Sequence, residues 1–141
     1  MKDCIFCKII NGEIPSFKVY EDNRVFAFMD INPISPGHTL IIPKNHAANL
    51  MEISNEDLAA VHKASKKVMA GIVATLQPSG VACLQLNGAG ANQVVFHYHL
   101  HLIPRIPGEP DLPVSGWEIK PGDMGEIKAT AEKISGALNN G

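Results

Sequence analysis

Three histidines alternate in His97-Tyr98-His99-Leu100-His101, ahead of the apolar pair Leu102-Ile103. Side chains of an extended segment point to opposite faces in turn, so this pattern predicts a row of imidazoles on one side of a strand. Imidazole binds metals, moves protons near neutral pH and attacks electrophiles. At about 3.3 Å per residue the outer two would lie roughly 13 Å apart, too far for both to reach one zinc at about 2.1 Å. At least one of the three must therefore do something other than ligate a common metal.

Cys4 and Cys7 form a second chemical motif, C-x-x-C. On a helical turn both sulfurs face one side and can share a tetrahedral zinc if two more ligands arrive from elsewhere. The candidates are His46, which ends Pro43-Lys44-Asn45-His46, and His97. Two free thiols are the alternative. A thioredoxin-like redox pair needs a preceding strand within a βαβ pattern, which this sequence lacks. Cys83, within Val81-Ala82-Cys83-Leu84, reads as a buried structural thiol.

The segment between Leu86 and Val95 carries two glycines, two asparagines and a glutamine beside the histidines. Glycine backbone approaches anions closely, and the amides of Asn87 and Gln93 can orient phosphoryl oxygens. A plain connection between strands would explain the glycines equally well. His38, after Pro36-Gly37, either approaches this site or is a satisfied surface group; His62 reads as structural or solvent-facing.

Several elements must position these groups. Cys4–Ile10 suits a short helix stopped by Asn11-Gly12. Strands are expected at Ser16–Tyr20 and Arg24–Met29, joined as a hairpin, and at Thr39–Ile42, closed by Pro43. Ser54 with Asp57 opens a long helix whose apolar positions are Leu58, Val61, Val68, Ile72 and Leu76. Val81–Leu86 and the histidine segment supply two further strands. A Pro- and Gly-rich stretch then leads to an amphipathic helix through Met124, Ile127, Ala131, Ile134 and Leu138. The expected fold class is α+β, a mostly antiparallel sheet of about five strands with one long helix, a short N-terminal helix and a C-terminal helix.

With 141 residues, 45% of them hydrophobic, the chain fits one domain. A net charge of -2 speaks against binding a nucleic-acid polymer, and no apolar run reaches the length of a membrane span. The polar start Met1-Lys2-Asp3-Cys4 and three cysteines, an odd number, point to a cytoplasmic, reducing setting.

His97 to Ile103 resembles the histidine triad motif His-φ-His-φ-His-φ-φ, φ being apolar, of the HIT superfamily of nucleotide hydrolases and transferases. The similarity runs upstream through Cys4-Ile5-Phe6-Cys7, Asp30-Ile31-Asn32-Pro33 and Gly37-His38-Thr39 to Pro43-Lys44-Asn45-His46. It covers about residues 4–105 of a single domain, with 106–141 as an extension, and is strongest to the Hint-type branch of purine nucleoside phosphoramidases. The resemblance implies the HIT fold, a homodimer, and purine nucleotide substrates of the AMP or GMP kind. It makes His99 the nucleophile that takes up the nucleotidyl group, with His101 and His38 around the phosphate. Asn87 and Gln93 correspond to phosphate-side contacts, Asp30 to the carboxylate that receives the ribose hydroxyls, and Ile31, Phe6, Ile9 and Phe28 to the base pocket. Zinc-bearing relatives use positions matching Cys4, Cys7, His46 and His97, one structural zinc per chain. The alternatives are a dinucleoside polyphosphate hydrolase of the Fhit kind and a nucleotide-binding scaffold with weak activity. Two departures stand out. Val94 replaces a hydroxyl residue near the phosphate, and the tail after Arg105 is longer, with Trp117 as a candidate contact.

Overall fold

The computed structural model describes residues 3–112 and 120–139. Trp117 lies outside them. The chain divides into two compact units, Met1–Glu109 and Pro110–Gly141.

In the first unit the order is α1 (Ile5–Ile10), β1 (Lys18–Glu21), β2 (Val25–Met29), β3 (Thr39–Pro43), α2 (Asn55–Leu76), β4 (Gly80–Leu84) and β5 (Leu100–Arg105), with a 3₁₀ turn at Ala89–Ala91. The strands form one antiparallel sheet in the order β1-β2-β3-β5-β4, the expected α+β arrangement. All five residues of β3 are buried, because the sheet is covered on both faces. Pairing of Ala27 with Ile41 and of Phe28 with Leu40 sorts side chains by parity. Val25, Ala27, Ile41, Tyr98, Leu100 and Leu102 pack with Val61, Val68 and Ile72 of α2, while Phe26, Phe28, Leu40 and Ile42 pack with Phe6 of α1. The site grows from the second face.

Helix α2 is fixed at both ends. Ser54 Oγ accepts from the backbone of Asp57 at 3.1 Å, and Glu56 and Asp57 complement the positive end of the helix dipole. The Asp57 carboxylate also accepts from Arg24 Nη1 at 2.9 Å and Asn45 Nδ2 at 3.1 Å, pinning the helix start to the sheet. Gln77 ends the helix in the left-handed conformation, φ 47°. Gly37, with φ +92°, leads into β3 in a backbone conformation that side-chain-bearing residues rarely adopt, and a Cβ there would also displace the end of the Leu76 side chain, 2.4 Å away.

Four local expectations change, one of them being that β4 ends two residues early, at Leu84. The regular ladder begins at Leu100, not His97, because Tyr98 N–H donates to Ala47 O at 2.7 Å in the segment after β3. Side-chain alternation nevertheless persists: Tyr98 lies in the α2-side core, while the His97 and His99 rings meet Phe6 on the other face. Strand β1 starts two residues late, at Lys18. Cys83 is exposed rather than buried, since β4 is an edge strand.

In the second unit, α3 spans Met124–Asn139 and is capped by Asp123, whose Oδ1 accepts from Glu126 N at 3.0 Å. Its apolar positions Met124, Ile127, Ile134 and Leu138 are exposed.

Candidate functional site

The two cysteines meet because Cys4 is the N-cap of α1: its Sγ accepts from Cys7 N at 3.4 Å, and one helical turn brings the second sulfur alongside. His97 approaches from the far end of the chain. Its Nε2–H donates to Pro43 O at 2.7 Å, which leaves the Nδ1 lone pair 3.3 Å from Cys4 Sγ and 3.6 Å from Cys7 Sγ. His46 Nδ1 lies 3.5 Å from Cys7 Sγ. The four ligand atoms fall within 4.8 Å of one another. Burial holds His97 well below the ordinary histidine range, at about 4, so the ring is neutral and able to ligate. Burial, with Cys4 beside it, pushes the Cys7 thiol up. Two sulfurs and two imidazole nitrogens in a closed cluster fit a tetrahedral metal, and these residues could hold one.

The neighbouring histidines are tied differently. His99 Nδ1–H donates to His97 O at 2.7 Å, so its Nε2 carries the lone pair. The Phe6 ring stands edge-on at 5.2 Å and limits the tilt of this imidazole. His38 Nδ1 accepts from Ile34 N–H at 3.0 Å, which places its own proton on Nε2. That proton points to His101 Nδ1 at 2.9 Å, and His101 in turn presents Nε2–H. Asp30 Oδ2 lies 3.5 Å from His38 Nε2, while Oδ1 accepts from Asn32 N at 2.8 Å. Asp30, His38 and His101 also cluster within 4.8 Å, but the tautomer set by Ile34 puts a proton, not a vacant lone pair, between the two rings. Burial lowers all three histidines: His101 to about 4, with His99 and His38 adding to the effect; His99 against the pull of the His97 carbonyl; and His38 against Asp30. All three are neutral at neutral pH, and the site combines one bare nitrogen with one N–H donor.

A cavity of ≈ 430 Å³ opens in front of them. Of the residues singled out from sequence, Phe6, Ile9, Phe28, Asp30, Ile31, Val94, His99 and His101 line it. His38 stands behind His101. Asn87 and Gln93 are absent from the walls. Asn87 is exposed, its Oδ1 accepting from Leu50 N at 2.8 Å, and its amide exchanges hydrogen bonds with that of Gln85 at 2.8 and 2.9 Å. Gln93 is buried: Oε1 accepts from Gly88 N at 2.7 Å, and Nε2 donates to Ala48 O and Val95 O. Both amides shape the loop. Sequence reasoning did not single out three polar wall residues, Ser16, Asn32 and Asn92. Asn92 shares the glycine-bearing loop, but nothing in the residue order distinguishes its amide from those of Asn87 and Gln93.

Comparison with known proteins agrees with this architecture. A family model described as the HIT domain matches residues 11–108. Adenosine 5'-monophosphoramidase hnt1 of Schizosaccharomyces pombe is 44% identical over 135 residues, 96% of this chain and 98% of that protein. Protein hit of Bacillus subtilis is 43% identical over 137 residues, 94% of each. Among solved structures, a histidine triad nucleotide-binding protein from Candida albicans superimposes with a TM-score of 0.82 at 41% identity, covering 98% of this chain and 99% of the other. By its matched domain, its full-length relatives and its shared architecture, the chain belongs to the HIT domain family.

Proposed function

We propose that this HIT-family hydrolase cleaves the P–N bond of purine nucleoside 5′-phosphoramidates through a nucleotidyl-His99 intermediate. The observation that carries the reading is the fixed tautomer of His99: Nδ1–H is held by His97 O at 2.7 Å, which leaves Nε2 bare in a ≈ 430 Å³ cavity beside His101. In the first step His99 Nε2 bonds to the α-phosphorus and the P–N bond breaks; the amine departs with a proton that enters from solvent and is passed on by His101, which ends the step neutral. In the second step water attacks the same phosphorus, the bond to His99 breaks, and the proton from water leaves to solvent by the same route. The products are a nucleoside monophosphate and an amine. Phe6, Ile9, Phe28 and Ile31 offer apolar surface to the purine, and Asp30 an acceptor to the ribose hydroxyls. Asn87 and Gln93 contribute to phosphate binding by shaping the loop.

In this reading zinc occupies Cys4, Cys7, His46 and His97, where it cross-links α1 to the segments carrying the two histidines and takes no part in the chemistry. The protein acts as a homodimer, for which β4 offers an edge without a strand partner among the described residues. It works in the reducing cytoplasm; Cys4, Cys7 and Cys83 are free, and no helix among the described residues is long and apolar enough to cross a membrane. Intact-mass detection of a nucleotide adduct on wild-type protein during turnover, absent from His99→Ala, tests the mechanism. Full turnover by His99→Ala would refute it.

A further inference from the structure

We infer that Asn92 supplies a hydrogen bond to the phosphoryl oxygens, as the side-chain donor on the loop that Val94 does not provide. The inference rests on the phosphoryl-transfer reading above and adds to it a residue that the triad pattern does not contain.

Three carboxamides stand on the segment 87–93, and the structure separates them. Those of Asn87 and Gln93 are committed to Gln85, Leu50, Gly88, Ala48 and Val95, and neither side chain reaches the cavity. Asn92, an exposed residue, lines the cavity with Val94, His99 and His101, and its side chain makes no hydrogen bond among the described residues. Its backbone holds φ 67° and ψ 26°, the left-handed region, with N–H donating to Ala89 O at 3.0 Å. Asparagine is the side-chain-bearing residue that most readily takes this conformation. The loop needs a left-handed residue here, and glycine would satisfy the backbone without adding an amide. Two residues on, Val94 is 83% exposed and its side chain has no donor to offer.

The chemistry asks for such a group. As His99 Nε2 approaches phosphorus, negative charge gathers on the non-bridging oxygens, and fixed donors there stabilise the transition state more than the ground state. His101 Nε2–H is one donor; Asn92 Nδ2 is the second. A carboxamide is neutral, so it assists without perturbing the neutral histidines around it.

Two variants separate the donor from the turn. Asn92→Gly keeps the left-handed backbone and deletes the amide; Asn92→Asp keeps the shape and replaces the donor with a negative acceptor. On an adenosine phosphoramidate we expect Asn92→Gly to lower kcat/KM about 10- to 100-fold, chiefly in kcat, and Asn92→Asp to lower it further. Calorimetric binding of AMP and of adenosine supplies a readout independent of turnover: Asn92→Gly should weaken AMP severalfold and leave adenosine unchanged. An Asn92→Gly protein within twofold of wild type in both kcat/KM and AMP affinity would overturn the inference. So would equal loss of AMP and adenosine binding, which would mean altered pocket shape. Should the wild type fail to turn over phosphoramidates, the functional reading falls, and the preference for AMP over adenosine still decides the role of Asn92.

Discussion

His97 and His99 lie two residues apart and each gives one ring N–H to a backbone carbonyl at 2.7 Å, yet they use opposite nitrogens. His97 is tied through Nε2 to Pro43, and its lone pair on Nδ1 faces two sulfurs. His99 is tied through Nδ1 to His97, and its lone pair on Nε2 faces a cavity. The same side chain becomes a candidate ligand in one case and a candidate nucleophile in the other. What separates them is the position of the nearest carbonyl. Burial lowers both rings, so charge does not distinguish them.

The sharpest test of this division is His99→Ala. It should reduce phosphoramidate turnover by on the order of 10,000-fold or more and leave metal content at the wild-type value; parallel loss of both would merge the two halves. Next comes Cys4→Ser, which should remove the metal and lower the melting temperature by about 10 °C or more, while the folded fraction keeps most of its kcat. Collapse of kcat at temperatures where the variant remains folded would show that the metal cluster reaches into the chemistry.

Substrate choice gives a smaller contrast. We expect kcat/KM for an adenosine phosphoramidate to exceed that for a diadenosine polyphosphate by about tenfold or more, and the reverse order would favour the dinucleotide reading. The effects of pH are smaller still. Activity should hold below pH 6.5 before failing, because burial keeps His99 unprotonated beyond the usual histidine range. Stability should also fall as pH drops from 6.5 toward 4. Over that interval the unfolded chain binds a proton at His101 that the folded chain, with its value near 4, refuses. Partial exposure limits this contribution to about 2 kcal/mol at most, measurable as a smaller acid-induced decrease in denaturation midpoint for His101→Asn.

Much of this was legible in the sequence, for identifiable reasons. Periodicity located α2 and α3, and alternation put Tyr98, Leu100 and Leu102 opposite the histidines even where no regular ladder forms. The convergence of Cys4, Cys7, His46 and His97 into a cluster that could hold a metal was expected from C-x-x-C plus two histidines. Hydrogen-bond commitment was not legible. Asn87 and Gln93 looked like free amides because composition cannot show that Leu50, Ala48 and Gly88 occupy them. The exposure of Cys83 likewise depends on strand order, since an apolar strand reads the same at the edge of a sheet and at its centre.

Main-chain atoms fix the tautomers of His97, His99 and His38, through Pro43 O, His97 O and Ile34 N, and His101 takes its own from His38. No side-chain substitution deletes a carbonyl or, proline at position 34 apart, an amide hydrogen. The protonation pattern of the site is thus inherited with the path of the chain, and residues around it can drift over evolutionary time without erasing it. An alanine scan would pass over these atoms entirely. Replacing Tyr98 with its α-hydroxy analogue would turn the His97 carbonyl into a weaker ester acceptor and loosen that tautomer, while also removing the Tyr98 N–H bond to Ala47 O.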